Sequence, residues 1–167
     1  MHTPETLHGA LTQLNIPFTN HHHAAVFTVE ESSILSHLAG AHIKNLFVKD
    51  KAKNFFLITA LEDRSLDLKS LGKHLAVKDR LSFADETALM EYLGVTPGSV
   101  SPLALINAKP GALRFILDEG ILAHTEVLPH PLINTQTTAL TVTDLLRATQ
   151  SWGHTAEILD LSLFPRP

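Results

Sequence analysis

The first apolar residues of the chain recur at helical spacing, with Leu7, Leu11 and Leu14 about one turn apart. Thr3 before them is a favoured N-cap residue, and Pro4 suits the first position of a helix. The pattern therefore predicts a helix that begins at Pro4 and ends near Leu14. Similar signals predict four more helices, at residues 29–38 (after a capping box that starts at Thr28), 67–74, 85–93 and 143–152.

Between these helices lie short runs of β-forming residues, either alternating with polar residues or continuously apolar. They predict strands at residues 16–20, 42–49, 54–60, 103–107, 113–117, 121–128 and 157–161. The polar residues 49–53 and the turn 108–111 each separate two such runs, which indicates hairpins. Because the strands come mostly in pairs with helices between the groups, the sequence predicts an α+β domain with a mixed or antiparallel sheet.

Composition adds mainly exclusions. The 167 residues suit one domain, and 44% hydrophobic with 18% charged residues is typical of a globular chain with a sizeable core. The absence of cysteine excludes disulfide scaffolds, cysteine-based zinc sites and thiol catalysis. No apolar run approaches 18 residues and the polar N-terminus does not resemble a signal peptide, so we expect a cytoplasmic protein without membrane association.

The net charge of −4 argues against nonspecific coating of nucleic acid. Residues 44–80, however, carry nine of the 13 basic residues and five of the 17 acidic ones, which gives this segment +4 and the remainder −8. Such a division can build one basic face on an acidic body. Solvated helix faces without any partner explain the same charges equally well.

The sequence lacks the common signatures of phosphate-binding loops, dinucleotide-binding folds, zinc proteases and serine hydrolases. The histidine run 21–23 suggests a metal site, but alternate strand residues face opposite sides, so only His21 and His23 could share an ion. A catalytic zinc ion usually has three protein ligands, and no matching segment stands out. We therefore expect no metal and no cofactor, and histidines that are partly exposed at the end of a strand.

Three segments carry polar groups that could serve a binding site. Lys44 and Asn45 interrupt an otherwise apolar strand, where burial without partners is costly, so one of them should face solvent or a polar cleft. The loop 98–102, with glycine first and proline last, either presents backbone N–H groups to an oxygen anion or is a plain turn. His130 lies between two prolines, which either position its imidazole stiffly or simply make a rigid turn.

Four segments together resemble a known family in their order and spacing. They are HAAVFTVEE at residues 23–31, GAHIKNLFVKD at 40–50, LGVTPGSVSPLALIN at 93–107 and HPLINTQTT at 130–138. From them the sequence is identified as a member of the prolyl-tRNA editing superfamily, the YbaK and synthetase-associated domain group. KNLFVKD and HPLINTQTT further resemble the free-standing Ala-tRNA(Pro) deacylases of the ProX type. The chain departs from the family pattern at Ala108, where an aspartate often follows the asparagine.

The resemblance implies that residues 1–167 form a single compact α+β domain, with a mixed and partly barrel-like sheet flanked by helices. It implies hydrolysis of a mischarged aminoacyl-tRNA ester without a metal or cofactor, in which the ribose hydroxyl beside the ester assists the attacking water. The expected partner is the 3′ end of mischarged tRNA(Pro), and prolyl-tRNA synthetase is a further candidate partner. Neither DNA nor a membrane is expected.

The family pattern also implies roles for individual residues, with Lys44, Asn45, Gly98 and His130 as the catalytic set. Lys44 would contact the phosphate or ribose at the tRNA 3′ end, and Asn45 would position the aminoacyl group. His130 would line the amino-acid pocket, and Gly98 would begin a loop whose backbone N–H groups face the ester carbonyl. The other expected substrate contacts are Thr28, Ser99, Val100, Ser101, Pro102, Asn134 and Thr137. The expected tRNA contacts are Lys49, Lys51, Lys69 and Lys73.

Two other functions stay open at this point. The same fold could act on another misacylated tRNA, charged with cysteine, serine or threonine, or it could be a noncatalytic module that binds tRNA or the synthetase. One methylene group changes the free energy of binding by only about 1–3 kcal/mol, so a pocket for alanine must exclude proline by its size.

A DNA-binding role is disfavoured by the net negative charge and the lack of a helix-turn-helix signature.

Overall fold

The computed structural model describes residues 1–25 and 37–167, and these ranges contain eight strands. The strands are β1 Thr19–His22, β2 Ile43–Lys49, β3 Phe55–Leu61, β4 Ser82–Phe83, β5 Leu113–Asp118, β6 Glu126–Val127, β7 Gln136–Thr141 and β8 Ala156–Leu159. Five of them form one sheet in the order β4-β2-β3-β5-β8, and three form a second sheet in the order β1-β7-β6. β2 and β3 form the predicted antiparallel hairpin, whereas β5 pairs in parallel with both β3 and β8. The predicted α+β class with a mixed sheet is therefore confirmed.

The expected barrel-like closure is wrong for the described part of the chain, where both sheets are open. The two sheets meet at a parallel bridge between Ala41 and Val127, just before β2 and within β6. The Ala41 N–H donates to the Glu126 carbonyl over 2.8 Å, and the Leu128 N–H donates to the Ala41 carbonyl over 3.2 Å. This bridge places the second sheet beside the start of β2 and leaves β4 and β8 as the outer strands of the first sheet.

Four of the five predicted α-helices lie in the described residues: α1 Pro4–Gln13, α2 Leu68–His74, α3 Glu86–Leu93 and α4 Val142–Ser151. Each begins after a side chain that accepts a hydrogen bond from the first turn; these caps are Thr3 and Asp85, as predicted, together with Asp67 and Thr141. The helix predicted at 29–38, with its capping box at Thr28, falls mainly on residues 26–36, outside the described ranges. Within those ranges, no helix has the length and apolar character needed to cross a membrane.

Two predicted strands are wrong. Residues 103–107 lie in a 3-10 helix, Pro102–Asn107, because Ser101 caps its N-terminus and Pro102 fixes φ at its first position. The run 121–128 divides into a 3-10 helix, Glu119–Ala123, and the two-residue strand β6. The apolar pattern does not predict two strands, the two-residue β4 and β7. β7 is rich in threonine, which is polar but β-branched and favours strands.

The five-stranded sheet is covered on both faces, because alternate residues of its strands pack into two different cores. The first core contains Phe47 and Leu57 together with residues of α1, α3, α4 and the three-stranded sheet. The second core contains Val48 and Ile58 together with residues of α2. Since α2 and α3 both lie in the connection between β3 and β5, that one connection supplies a helix to each face.

Asp50 closes the hairpin between β2 and β3 and ties it to the loop after α2. Its buried carboxylate accepts from the backbone N–H and the side-chain amide of Asn54, each at 2.9 Å, and from the Lys78 N–H at 3.0 Å. Burial raises the pKa of this carboxyl, but the hydrogen bonds together outweigh burial and lower the pKa from 3.8 to about 2. The hairpin and the loop are therefore joined by a charged acceptor.

We expect Asp50→Asn to lower the free energy of unfolding at neutral pH, because an amide has one acceptor oxygen and brings an NH₂ group against three donors. A carboxyl whose pKa is lowered by folding contributes stability above its unfolded pKa and loses it as the pH falls through the folded pKa. In urea unfolding, the difference between the two proteins should be constant above about pH 4 and shrink toward pH 2. A difference that persists unchanged to pH 2 would contradict the role of the charge.

Candidate functional site

Lys44 and Asn45 are neighbours on β2 whose side chains lie on opposite faces of the five-stranded sheet, since successive strand residues alternate. Asn45 shares its face with Phe47, which belongs to the first core. Lys44 shares its face with Leu46 and Val48, which pack in the second core. A ligand that contacts both side chains must therefore pass over the edge of β2.

Asn45 is held by Thr59, its partner across the hairpin. Thr59 Oγ1 donates to Asn45 Oδ1 over 2.7 Å, and the threonine is fully buried. This bond turns the carbonyl oxygen of the amide toward β3, so the NH₂ group points away from β3. An amide NH₂ group in this position is a donor suited to the carbonyl oxygen of a ligand.

A second polar cluster lies around β7. His23, directly after β1, and His130, between its two prolines, lie on the two sides of β7 with their ring centroids 6.1 Å apart. His23 Nε2 lies 2.8 Å from Oγ1 of the buried Thr137. His130 Nδ1 lies 2.8 Å from the carbonyl oxygen of Gln136. The structure thus brings together two of the predicted residues, His130 and Thr137, and adds His23 as their link.

The proton on His130 can be assigned from its partner. A carbonyl oxygen only accepts, so Nδ1 carries the proton and donates to Gln136. Burial lowers the pKa of His130; the bond to Gln136 acts in the opposite direction, and the nearby His23 lowers the pKa further. The ring is therefore neutral at neutral pH, and its Nε2 is an acceptor for an ammonium or hydroxyl donor.

The bridge between Ala41 and Val127 pairs the chain segment that leads to Asn45 with the segment that leads to His130. Because the bridge is parallel, both segments leave it in the same direction, with Asn45 four residues and His130 three residues farther along. Val100, from the predicted substrate loop, packs against the same first core. Asn45 and Val100, two of the residues predicted to contact the substrate, therefore lie on the side of the sheet that faces the first core.

The loop 98–102 offers fewer N–H donors than its sequence suggests. Ser99 N–H donates to the Thr96 carbonyl over 3.1 Å and closes a turn with Pro97 second and Gly98 third. Gly98 has a φ of 90°, as the third residue of a type II turn requires. Since Pro102 has no N–H either, only the other three residues of the loop could direct backbone N–H groups at an ester oxygen.

Lys44 lies in a cleft on the second-core face. Its ammonium group donates to the backbone carbonyl of Arg64. Burial lowers the pKa of Lys44, the positive charge of Arg166 lowers it further, and the carboxylates of Asp63 and Glu62 act in the opposite direction. Lys44 is thus partly buried with a cation beside it.

An ion pair that the sequence analysis does not anticipate supports this cleft. Asp118, fully buried at the end of β5, accepts from Arg64 Nε over 2.9 Å and from the N–H groups of Leu61 and Gly120 over 3.1 Å. Burial raises the pKa of Asp118, but these bonds outweigh burial and lower the pKa. The signal in the sequence is an acidic residue that directly follows an apolar run.

The lysines expected to contact tRNA lie on different elements. Three are exposed: Lys51 in the turn between β2 and β3, and Lys69 and Lys73 one turn apart on α2. Lys49, the last residue of β2, is partly buried. Since α2 covers the second core, Lys69 and Lys73 lie on the same side of the sheet as Lys44.

Most of the other expected substrate contacts in the described residues are buried: Ser99, Ser101, Pro102, Asn134 and Thr137, with Val100 partly buried. Ser101 Oγ accepts from Leu103 N–H as the cap of its 3-10 helix. Thr28 lies outside the described residues. In residues 1–25 and 37–167, no three histidine or carboxylate side chains are grouped as ligands of one metal ion. The assigned roles stay predictions.

Residues 23–148 match the sequence model of the aminoacyl-tRNA editing domain. Prolyl-tRNA synthetase associated domain-containing protein 1 of Mus musculus is 44% identical over 143 residues, which cover 83% of this chain and 84% of the mouse protein. Prolyl-tRNA editing protein ProX of Acetoanaerobium sticklandii is 30% identical over 163 residues, which cover 96% of this chain and 99% of that protein. The matched range includes Lys44, Asn45, the loop 98–102 and His130.

Two solved structures share the fold. The crystal structure of a candidate trans-editing enzyme for prolyl tRNA synthetase matches with a TM-score of 0.71 at 22% identity, over 95% of each chain. The crystal structure of hypothetical protein APE2540 matches with a TM-score of 0.70 at 18% identity, over 90% of this chain and 97% of that one. At these identities the likeness establishes the architecture alone.

We expect the His130 imidazole to titrate below the ordinary value of 6.5, because burial disfavours its charged form. His23→Ala should raise the pKa of His130, since greater exposure to solvent and the loss of a neighbouring charge both favour the protonated ring. Two-dimensional NMR of the imidazole nitrogens measures both titrations, with the exposed His124→Ala as the variant that should leave His130 unchanged. A pKa of His130 at or above 6.5 would contradict the buried neutral ring.

Proposed function

Because the chain belongs to the aminoacyl-tRNA editing domain family, we propose that it is a trans-editing hydrolase that removes alanine from mischarged Ala-tRNA(Pro). The bacterial relative named as a prolyl-tRNA editing protein, matched along nearly its whole length, supports both the hydrolysis and the choice of tRNA(Pro). The name of the mouse relative supports prolyl-tRNA synthetase as a partner. A cytoplasmic location, where the synthetase charges its tRNA, belongs to the same proposal.

The observation that carries this proposal is a pair of oriented polar side chains within the range that matches the editing domain: His130, fixed by the Gln136 carbonyl, and Asn45, fixed by Thr59. His130 Nε2 accepts a hydrogen bond from the α-ammonium group of the amino acid and so fixes its orientation. The Asn45 NH₂ group and the available N–H groups of the loop 98–102 donate to the ester carbonyl as negative charge develops on its oxygen.

In the proposed reaction, a water oxygen bonds to the ester carbonyl carbon, and the bond from that carbon to the ribose oxygen breaks. The products are free alanine and a tRNA whose ribose hydroxyl is restored. An aminoacyl ester is already activated, so hydrolysis needs mainly a positioned water and a stabilised oxyanion. The neighbouring ribose hydroxyl assists the water, and the chain then supplies positioning rather than a general base.

Lys44 acts on the tRNA rather than on the ester. Its ammonium group has three donors, and the bond to Arg64 uses one of them, so it is suited to a phosphate at the 3′ end. Lys49, Lys51, Lys69 and Lys73 add positive charge for the acceptor arm. This arrangement has the 3′ end pass over the edge of β2 between Lys44 on one face and Asn45 on the other.

Selectivity in this scheme comes from the size of the amino-acid pocket. Attraction alone discriminates by about 1–3 kcal/mol per methylene, which is too little to spare the abundant correct Pro-tRNA(Pro). In the proposal, the amino-acid site beside His130 and Thr137 therefore excludes the proline ring sterically. The expected substrate contacts Asn134, Ser99 and Thr28 belong to this pocket in the proposal.

One observation favours a second candidate: the mouse relative is named for association with the synthetase and not for hydrolysis. A noncatalytic module that binds tRNA or the synthetase would use the same surface. The same fold with another misacylated tRNA, charged with cysteine, serine or threonine, is the nearer alternative within the family.

We expect purified protein to hydrolyse Ala-tRNA(Pro) faster than Pro-, Cys-, Ser- or Thr-tRNA substrates, because the pocket admits alanine and excludes larger groups. Release of labelled amino acid from the panel measures these rates. Preference for another amino acid would reassign the substrate but keep the reaction. If tRNA binds and no substrate is hydrolysed above the spontaneous rate, the noncatalytic module is the correct function.

Variants of the site test the roles of its residues. His130→Ala and Asn45→Ala should each slow deacylation by about 10²-fold, since each removes a group that positions the ester or its oxyanion. His124→Ala replaces an exposed histidine outside the site and should retain the wild-type rate. Full activity of both site variants would overturn this assignment and leave the function standing.

A further inference from the structure

The cleft that holds Lys44 has a volume of about 240 Å³ and combines cations with an exposed aromatic ring. Lys44 and Leu46 form its floor on β2. Phe83 on β4 lies opposite Val48 in the register, so its ring is on the same face of the sheet as Lys44. Arg166 completes the rim from the other side.

The cationic side of this cleft is held in place by backbone contacts. Arg166 N–H donates to the Ser65 carbonyl over 2.8 Å, its Nε donates to the Leu66 carbonyl over 3.1 Å, and Pro165 forms a β-bridge with Leu66. Its guanidinium forms no ion pair in the described residues. Arg64, by contrast, already pairs with Asp118. Lys44 and Arg166 are therefore the two cations of the cleft that are available to bind an anion between them.

Phe83 is 63% exposed, although the other phenylalanines of the sheet are buried. It lies on a strand of only two residues at the outer edge, where it adds little to either core. A large flat ring left in solvent beside two cations is the arrangement that proteins use for unpaired nucleotides, with the base stacked on the ring and the phosphate on the cations. Exposed single apolar residues are common, but this one borders a charged cleft.

We propose that this cleft binds an unpaired nucleotide of the tRNA 3′ end, with its base stacked on Phe83 and its phosphate between Lys44 and Arg166. This inference rests on the proposed function, because it takes the RNA chain to be the ligand. Lys44 and Asn45 are adjacent, with Cα atoms about 3.8 Å apart, so a nucleotide on one face and an ester on the other can be neighbours across the β2 edge. In the described residues, β4 pairs with Val48 and Lys49 beyond this crossing point, and the bridge between Ala41 and Val127 lies before it.

The test uses an uncharged single-stranded oligoribonucleotide with the 3′-terminal sequence of tRNA(Pro), labelled for fluorescence anisotropy. Phe83→Ala should weaken its binding by about 5- to 100-fold, the range expected when one stacked base loses its ring. Phe83→Trp should preserve binding, since indole also stacks. Met90→Ala removes another exposed apolar side chain, on α3, and should bind as the wild type does.

Salt dependence tests the cationic side independently. Arg166→Ala should reduce the slope of log Kd against log salt concentration by about 0.7, the amount for one phosphate contact to a single strand. Arg147→Ala, whose guanidinium pairs with Asp144 on α4, is the matched control and should keep the wild-type slope. In the deacylation assay, Phe83→Ala and Arg166→Ala should raise KM and leave kcat unchanged, because both residues contact the nucleotide and not the ester.

Each outcome separates this inference from the proposed function. Wild-type oligonucleotide binding by Phe83→Ala would overturn the nucleotide site even if deacylation is found. Binding that depends on Phe83 in a protein that hydrolyses no aminoacyl-tRNA would support the site while the proposed function fails. Equal Phe83 dependence for free AMP, at an affinity matching the oligonucleotide, would overturn the RNA assignment and give the cleft to a mononucleotide.

Discussion

Packing on both faces of the five-stranded sheet is the constraint on which the rest of the structure depends. A strand between two apolar cores cannot leave a polar side chain without a partner, because an unsatisfied buried group costs free energy. β2 meets this demand twice in succession, with Asn45 bonded to Thr59 on one face and Lys44 bonded to the Arg64 carbonyl on the other. The polar groups of β2 are consequently divided between the two faces of the sheet, with the Asn45 amide on one face and the Lys44 ammonium group on the other.

The helices could be predicted because their signals are local. Thr3, Asp67, Asp85 and Thr141 each cap the turn that follows them, so the information lies within a few residues. The run at 103–107 could not be assigned from its apolar character, which suits a buried strand and a helix equally. Its cap at Ser101 and the proline after it decide for the 3-10 helix, and those signals were present in the sequence.

Site residues were predictable as individuals and not as partners. His130, Asn45 and Lys44 stand out because each is polar in a stiff or apolar setting. Their partners come from chain segments that only the register of the sheets brings near: 14 residues separate Asn45 from Thr59, 54 separate Arg64 from Asp118, and 114 separate His23 from Thr137. The alternation of side chains along a strand predicts that Lys44 and Asn45 point to opposite faces of the sheet. It does not predict that a second core packs on the face of Lys44.

The connection between β3 and β5 contributes α2 to one core and α3 to the other, and the strands between the cores are shared by both. Loss of α2 or α3 from its core would therefore disturb the chain that positions the other helix on the opposite face. We therefore expect the cationic cleft and the imidazole cluster to unfold together in one cooperative transition. A change in packing on one face of the five-stranded sheet should therefore also affect the core on the other face, because the same strands border both cores.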